Sequence, residues 1–165
     1  MGSANSGSGA LDRPNRYSFG STAAIVTSVG LVVGFGAASV SRAALVSGLL
    51  ITALADNISD SLSIHIYQES ENLESRAAFR ATVTNFVARF LVALSFVAIV
   101  LAAPPGATAV TATIWGVLLL GALTYLLSRH RNVNPMREIV KHLLVAAVVI
   151  VASGLLGAWI TAHVS

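Results

Sequence analysis

Three runs in this chain carry no charged residue: Tyr17 to Ser41 (25 residues), Ala107 to Ser128 (22) and Leu143 to Ala162 (20). Each is long enough to cross a bilayer as a helix, which takes about 20 predominantly apolar residues. Composition agrees. Only 10% of the 165 residues are charged and 55% are apolar, whereas a soluble domain carries about 25% charged residues. A water-facing globule is excluded, and the sequence predicts an all-α integral membrane protein in a lipid bilayer.

Two further segments are shorter than a span requires. Between Arg42 and Asp56 stand 13 charge-free residues, which cover ~20 Å of a hydrocarbon core ~30 Å thick. The helix is expected to run on, carrying Asp56 to mid-bilayer and Asp60 into the inner part of the span. Phe90 to Ala103 offers 14 residues before Pro104, Pro105 and Gly106, which stop a helix. Extending that helix backwards brings Asn85 and Arg89 into the membrane. The expectation is five transmembrane helices at 17–40, 43–70, 76–103, 107–128 and 137–162. Residues 1–16, rich in Gly, Ser and Asn, form a disordered polar tail. Residues 17–165 form a single membrane domain.

The basic residues orient it. With five spans, one side collects Arg13, Arg16, Arg76, Arg80, Arg129, Arg131, Arg137 and Lys141, and the other has only Arg42. By the positive-inside rule the N-terminus is cytoplasmic and the C-terminus outside. The same scatter leaves no basic stripe for nucleic acid. With no cysteine there is no thiolate nucleophile and no Cys-based metal site. The sequence also holds no P-loop and no HExxH, so an enzyme is not expected. Arg and Ala richness points to a bacterial plasma membrane.

The second helix holds the chemistry, in the stretch ADNISDSLSIHIYQESENLE. Asp56 and Asp60, four apart, share one face of a helix; Asn57, Ser61, His65 and Glu69 follow the same step on the neighbouring stripe. Oxygen ligands suit hard divalent cations, and an added imidazole shifts preference toward first-row metals such as Fe²⁺ or Mn²⁺. A carboxylate at the bilayer centre costs roughly 2.5–3.5 kcal/mol on insertion scales, so two on one face need a partner or a task. Arg89 is one candidate partner. If the chain turns near Asn72 to Ser75, Asp60 lies 14 residues before Glu74 and Arg89 lies 15 after it, at similar depth in an antiparallel pair. Such an ion pair serving structure alone is one reading. It leaves Asp56 unpartnered, and an unpartnered carboxyl in lipid is expected to hold a proton or a cation. His65 and Glu69 read either as ligands near the cytoplasmic interface or as solvated side chains.

Small residues provide close packing. Gly30 and Gly34 form a GxxxG pattern in the first helix, fit either for contact within the chain or for a dimer interface.

These residues resemble the vacuolar iron transporter family of five-helix membrane proteins, which move Fe²⁺ or Mn²⁺ out of the cytosol. Phe19, Gly20 and the run GLVVGFGAAS look like the family's first-helix phrase. ITALADNISDSLSIHIYQESE is similar in spacing to its second-helix stretch, Asp60 matching a Glu, Ser63 a Ser and Glu69 the final Glu. Ala23 stands where the family has a first-helix Asp, and Asp56 stands where it has a Met. The long cytoplasmic insert is missing, as in the shorter members. The resemblance implies a homodimer, with Gly30 and Gly34 in its packing.

The expectation is therefore a carrier of Fe²⁺ or Mn²⁺ out of the cytosol, linked to protons, with no permanently bound cofactor. Asp56, Asp60, Asn57, Ser61, His65 and Glu69 would meet the metal, and Arg89 would act as counter-ion. Two alternatives stand beside it: a structural or assembly protein with a buried Asp–Arg pair, and a carrier of another cation.

Overall fold

The computed structural model describes residues 13–70 and 75–164. Five α-helices account for nearly all of them: α1 Arg13–Ala37, α2 Arg42–Ser70, α3 Ser75–Ala102, α4 Thr108–His130 and α5 Pro135–Val164. There is no strand among the described residues, and all five helices are long and apolar enough to cross a membrane. The protein is an all-helical, multi-pass membrane protein.

The helix ends explain where the boundaries differ from expectation. Arg13 to Arg16, expected in the polar tail, form the first turn of α1. Pro14 is tolerated there because its missing N–H has no helical partner to lose. The remainder of that tail, 1–12, lies outside the described residues. At the far end of α1, Ser39 adopts φ 54°. The amides of Ser39 and Val40 reach back to Gly36 and Phe35 at 3.2 Å each. This left-handed cap usually falls to glycine. Helix α4 runs two residues past its expected end and closes in the same way, with Asn132 at φ 52° and Val133 bonded to the Ser128 carbonyl at 3.1 Å. Helix α5 starts at Pro135, earlier than expected, because Asn134 caps it, its Oδ1 accepting from the Met136 amide at 3.0 Å. Arg42 caps a helix other than its own: its guanidinium donates to the carbonyls of Leu101 (3.2 Å) and Ala103 (2.9 Å) at the C-terminal end of α3.

Helix α1 is the axle of the bundle. It packs against all four others, while α2 meets only α1 and α3, and α5 only α1 and α4. The α1–α5 contact uses the GxxxG face. A methyl added at Gly30 would press on Val149 and Ser153, and one at Gly34 on the Ser153 backbone. Gly157 of α5 lies so close to the Gly34 carbonyl that no Cβ fits between them. Of the two readings of Gly30 and Gly34, contact within the chain is the one seen, since α5 of the same chain packs on that face. Without a hydrophobic drive between helices in lipid, such backbone approach is what holds them together.

The interior has two halves. The apolar half, toward the α3–α4 connection, contains Ile25, Val29 and Val32 of α1, Leu45 and Leu49 of α2, and Phe96, Val97 and Val100 of α3. The other half is polar, and it is where the charged residues of the spans gather. The outer faces, with Ile51, Leu118, Val148 and Leu155, are exposed and apolar as lipid requires.

Candidate functional site

The polar half is built from α1, α2 and α3. Asn57 is 2% exposed, Asn85 3% and Arg89 5%, with Ser21 and Ser28 of α1 also buried. Helices α2 and α3 run antiparallel, which places Arg89 opposite Asp60. Arg89 Nη1 donates to Asp60 Oδ2, and the two form an ion pair. The pair is lopsided. The Arg89 side chain is 6% exposed and that of Asp60 46%, so the cation is inside the bundle and the carboxylate at its surface.

Gly20 makes this arrangement possible. A methyl there would overlap Asn85 Oδ1 and come within 3.0 Å of Arg89 Cδ. The α1 backbone therefore forms the wall against which both side chains lie. Gly20 of the phrase seen in the sequence therefore has a packing reason.

At the boundary between the polar and apolar halves is a small cavity of about 20 Å³. Ser28 from α1, Thr52, Asp56 and Asn57 from α2, and Arg89 from α3 supply its polar wall, and residues such as Leu49 and Ala93 its apolar wall. A water molecule needs roughly 10–15 Å³ by this measure, so the space admits one water-sized species. Among the described residues, four buried polar side-chain atoms lack a protein partner: Asn57 Oδ1, Ser61 Oγ, Asn85 Oδ1 and Arg89 Nε. Leaving such a group unpartnered costs about 1–3 kcal/mol. Two of the four belong to residues of the cavity wall, Asn57 and Arg89.

Of the residues expected to meet a metal, Asp56 and Asn57 come together at the cavity. Asp60 is turned to Arg89 instead. Ser61 is buried at its hydroxyl but is not in the cavity wall. Ser63, matched to the family's Ser, faces outward and donates to the Ser59 carbonyl at 3.0 Å. The side chains of His65 and Glu69 lie outside the described residues. Among the described residues no three His, Asp or Glu side chains converge, and the outer part of the ladder anticipated along α2, His65 and Glu69, has its side chains outside them. Ser28 and Thr52 were missed in the sequence, since a hydroxyl in an apolar run signals nothing by spacing.

Two of the remaining histidines have local partners: His142 Nδ1 lies 3.3 Å from Thr124 Oγ1, and His163 Nδ1 lies 3.0 Å from the Trp159 carbonyl. Comparison with family models, with curated proteins and with solved structures returns no match for the chain.

Proposed function

We propose that the protein is a transporter that moves a divalent metal cation, Fe²⁺ or Mn²⁺, out of the cytosol in exchange for protons. The supporting observation is an imbalance inside the bundle. Two carboxylates, Asp56 and Asp60, share one guanidinium among the described residues: Arg89 is ion-paired with Asp60 and also lines the water-sized cavity beside Asp56. Charge in that position is costly unless a cation or proton answers it. In the metal-free state Arg89 holds Asp60. An incoming divalent ion competes for Asp60, and release of Arg89 then offers two carboxylates and the Asn57 oxygen to one metal. Ser61, His65 and Glu69 lie on the cytoplasmic side of the path. The family resemblance of the second helix supports the choice of metal.

A homodimer belongs to this reading. Asp60, nearly half exposed on the surface of one chain, would otherwise meet lipid. A second copy against α2 covers it. The distribution of basic residues supports a cytoplasmic N-terminus, and composition favours a bacterial plasma membrane.

Transport is tested in proteoliposomes loaded with a metal-sensitive dye. The parent protein is expected to pass Mn²⁺ or Fe²⁺ with opposite proton movement, and Asp56→Ala to stop both. Equal flux in the parent and in Asp56→Ala removes the reading. The Asp60–Arg89 pair itself favours a second one, a membrane protein in which the pair fixes helix register and nothing is carried. That reading predicts that Asp60→Asn with Arg89→Gln leaves every phenotype intact.

A further inference from the structure

The largest cluster of positive charge in the chain is the turn between α4 and α5, at the edge of two spans. Arg129, Arg131, Arg137 and Lys141 fall within thirteen residues that hold a single carboxylate, Glu138, an excess of three positive charges. All four cations are exposed. Lys141 Nζ donates to Glu138 Oε1 at 2.7 Å, while among the described residues Arg129, Arg131 and Arg137 form no salt bridge. Three exposed guanidiniums therefore have no carboxylate of their own.

Backbone bonds fix the turn that carries them. The amides of Arg131 and Val133 reach the carbonyls of Leu127 and Ser128 at 3.0 and 3.1 Å, with Asn132 as the left-handed residue between them at φ 52°. On the α5 side, Asn134 Oδ1 accepts from the amides of Met136 and Arg137, so the helix start is already satisfied and an anion here would meet side chains. What lies beside the cations is apolar. Tyr125 is exposed four residues before Arg129, whose guanidinium lies 6.0 Å from the centre of its ring. Tyrosine is enriched at the level of the headgroups. Along α5, Arg137 and Lys141 share a helix face with Leu144, Val145 and Val148, all of them exposed. The stripe passes from cation to hydrocarbon in one line, which complements a molecule with an anionic head and an acyl tail.

We propose that the α4–α5 turn is a binding site for an anionic phospholipid: Arg129, Arg131, Arg137 and Lys141 hold the phosphodiester headgroup, and an acyl chain lies along Leu144, Val145 and Val148. Guanidiniums suit phosphate because their forked N–H donors match its oxygens. Free phosphate would use the same guanidiniums but leave the apolar stripe bare, which commits the site to a lipid. The binding does not rest on the carrier reading.

The test uses the full-length protein in a nonionic detergent. Melting temperature is followed as phosphatidylglycerol is added to the micelles, against phosphatidylcholine of the same acyl chains, inorganic phosphate and a polyglutamate peptide, and retained lipid is counted by native mass spectrometry. The expected result is a saturable rise with phosphatidylglycerol, following RT ln(1 + [L]/Kd), which shrinks as NaCl screens the exposed charges. Phosphatidylglycerol stays on the chain in the spectrometer, and the other three additives give no comparable rise. Arg131→Gln and Arg137→Gln should each weaken the apparent affinity by about fivefold, the scale of one basic residue at an anionic membrane surface. Both variants should melt with the parent in phosphatidylcholine, since the side chains they remove are exposed. Arg80→Gln, at an exposed arginine of α3, should leave the affinity unchanged. The site is overturned if phosphatidylcholine, phosphate or the peptide stabilises as well as phosphatidylglycerol, if both turn variants bind as the parent does, or if Arg80→Gln weakens binding as much as they do. The two readings fail separately. Proteoliposomes that pass no Mn²⁺ or Fe²⁺ would remove the carrier and leave this site standing, and metal flux without lipid selectivity would do the reverse.

Discussion

Arg89 of α3 is buried while Asp60 of α2, its ion-pair partner, keeps 46% of its side chain exposed. The two ends of this pair therefore have unequal stakes. Removing Asp60 leaves a guanidinium inside the bundle facing Asp56 alone, whereas removing Arg89 leaves a carboxyl that a proton can neutralise, which no proton loss can do for a guanidinium.

Asp60→Asn is accordingly expected to destabilise the fold more than Arg89→Gln. Breaking a buried pair by removing one partner costs about 3–5 kcal/mol, the scale expected for Asp60→Asn. The double substitution should cost less than the sum of the singles. A double-mutant cycle on detergent unfolding measures all three.

Gly157→Ala should loosen α5 from α1, because the new methyl meets the Gly34 carbonyl, a backbone atom with little room to yield. Overpacking of this kind costs about 1–3 kcal/mol. Thermal unfolding checks the size. Cysteine cross-linking between α1 and α5 checks the place, with the efficiency expected to fall in the variant.

Ser39→Gly should be neutral to stabilising. The residue sits at φ 54° in the cap of α1, a conformation that costs an L residue about 1–2 kcal/mol and glycine almost nothing. Part of that gain is lost to the greater entropy of glycine in the unfolded chain. A melting temperature below the parent's would show that the Ser39 side chain does something at this turn beyond filling it.

Asn134→Ala should cost about 1 kcal/mol, the usual loss of an N-cap, since its Oδ1 takes the amides of Met136 and Arg137. Unfolding free energies of the parent and the variant give the number directly.

The parts of this molecule that were legible in the sequence are those set by the cost of charge in lipid. Charge-free runs mark three spans, and the positions of Asp56, Asp60 and Arg89 force the other two to extend. The near-equal spacing of Asp60 and Arg89 from Glu74, between two expected helices, anticipates their pairing. What spacing does not carry is which face of a helix meets which neighbour. Gly30 and Gly34 show close packing without naming α5 as the partner. Asp56 and Asp60 share a helix face, yet one lines the cavity and the other pairs at the surface, because Arg89 reaches from the cavity wall to Asp60. Ser28 and Thr52 look like any small residues that let helices approach. Only the assembled bundle places their hydroxyls beside Asn57.

The measurement closest to the central claim is the thermal stability of the purified protein with Mn²⁺, Fe²⁺, Co²⁺, Zn²⁺, Mg²⁺ and Ca²⁺, repeated on Asp56→Asn. Binding to the folded state alone adds about 2.7 kcal/mol at a hundredfold excess over Kd. The account predicts a rise with Mn²⁺ or Fe²⁺ that disappears in Asp56→Asn. No rise with any of the six metals, or one that Asp56→Asn retains in full, would contradict it.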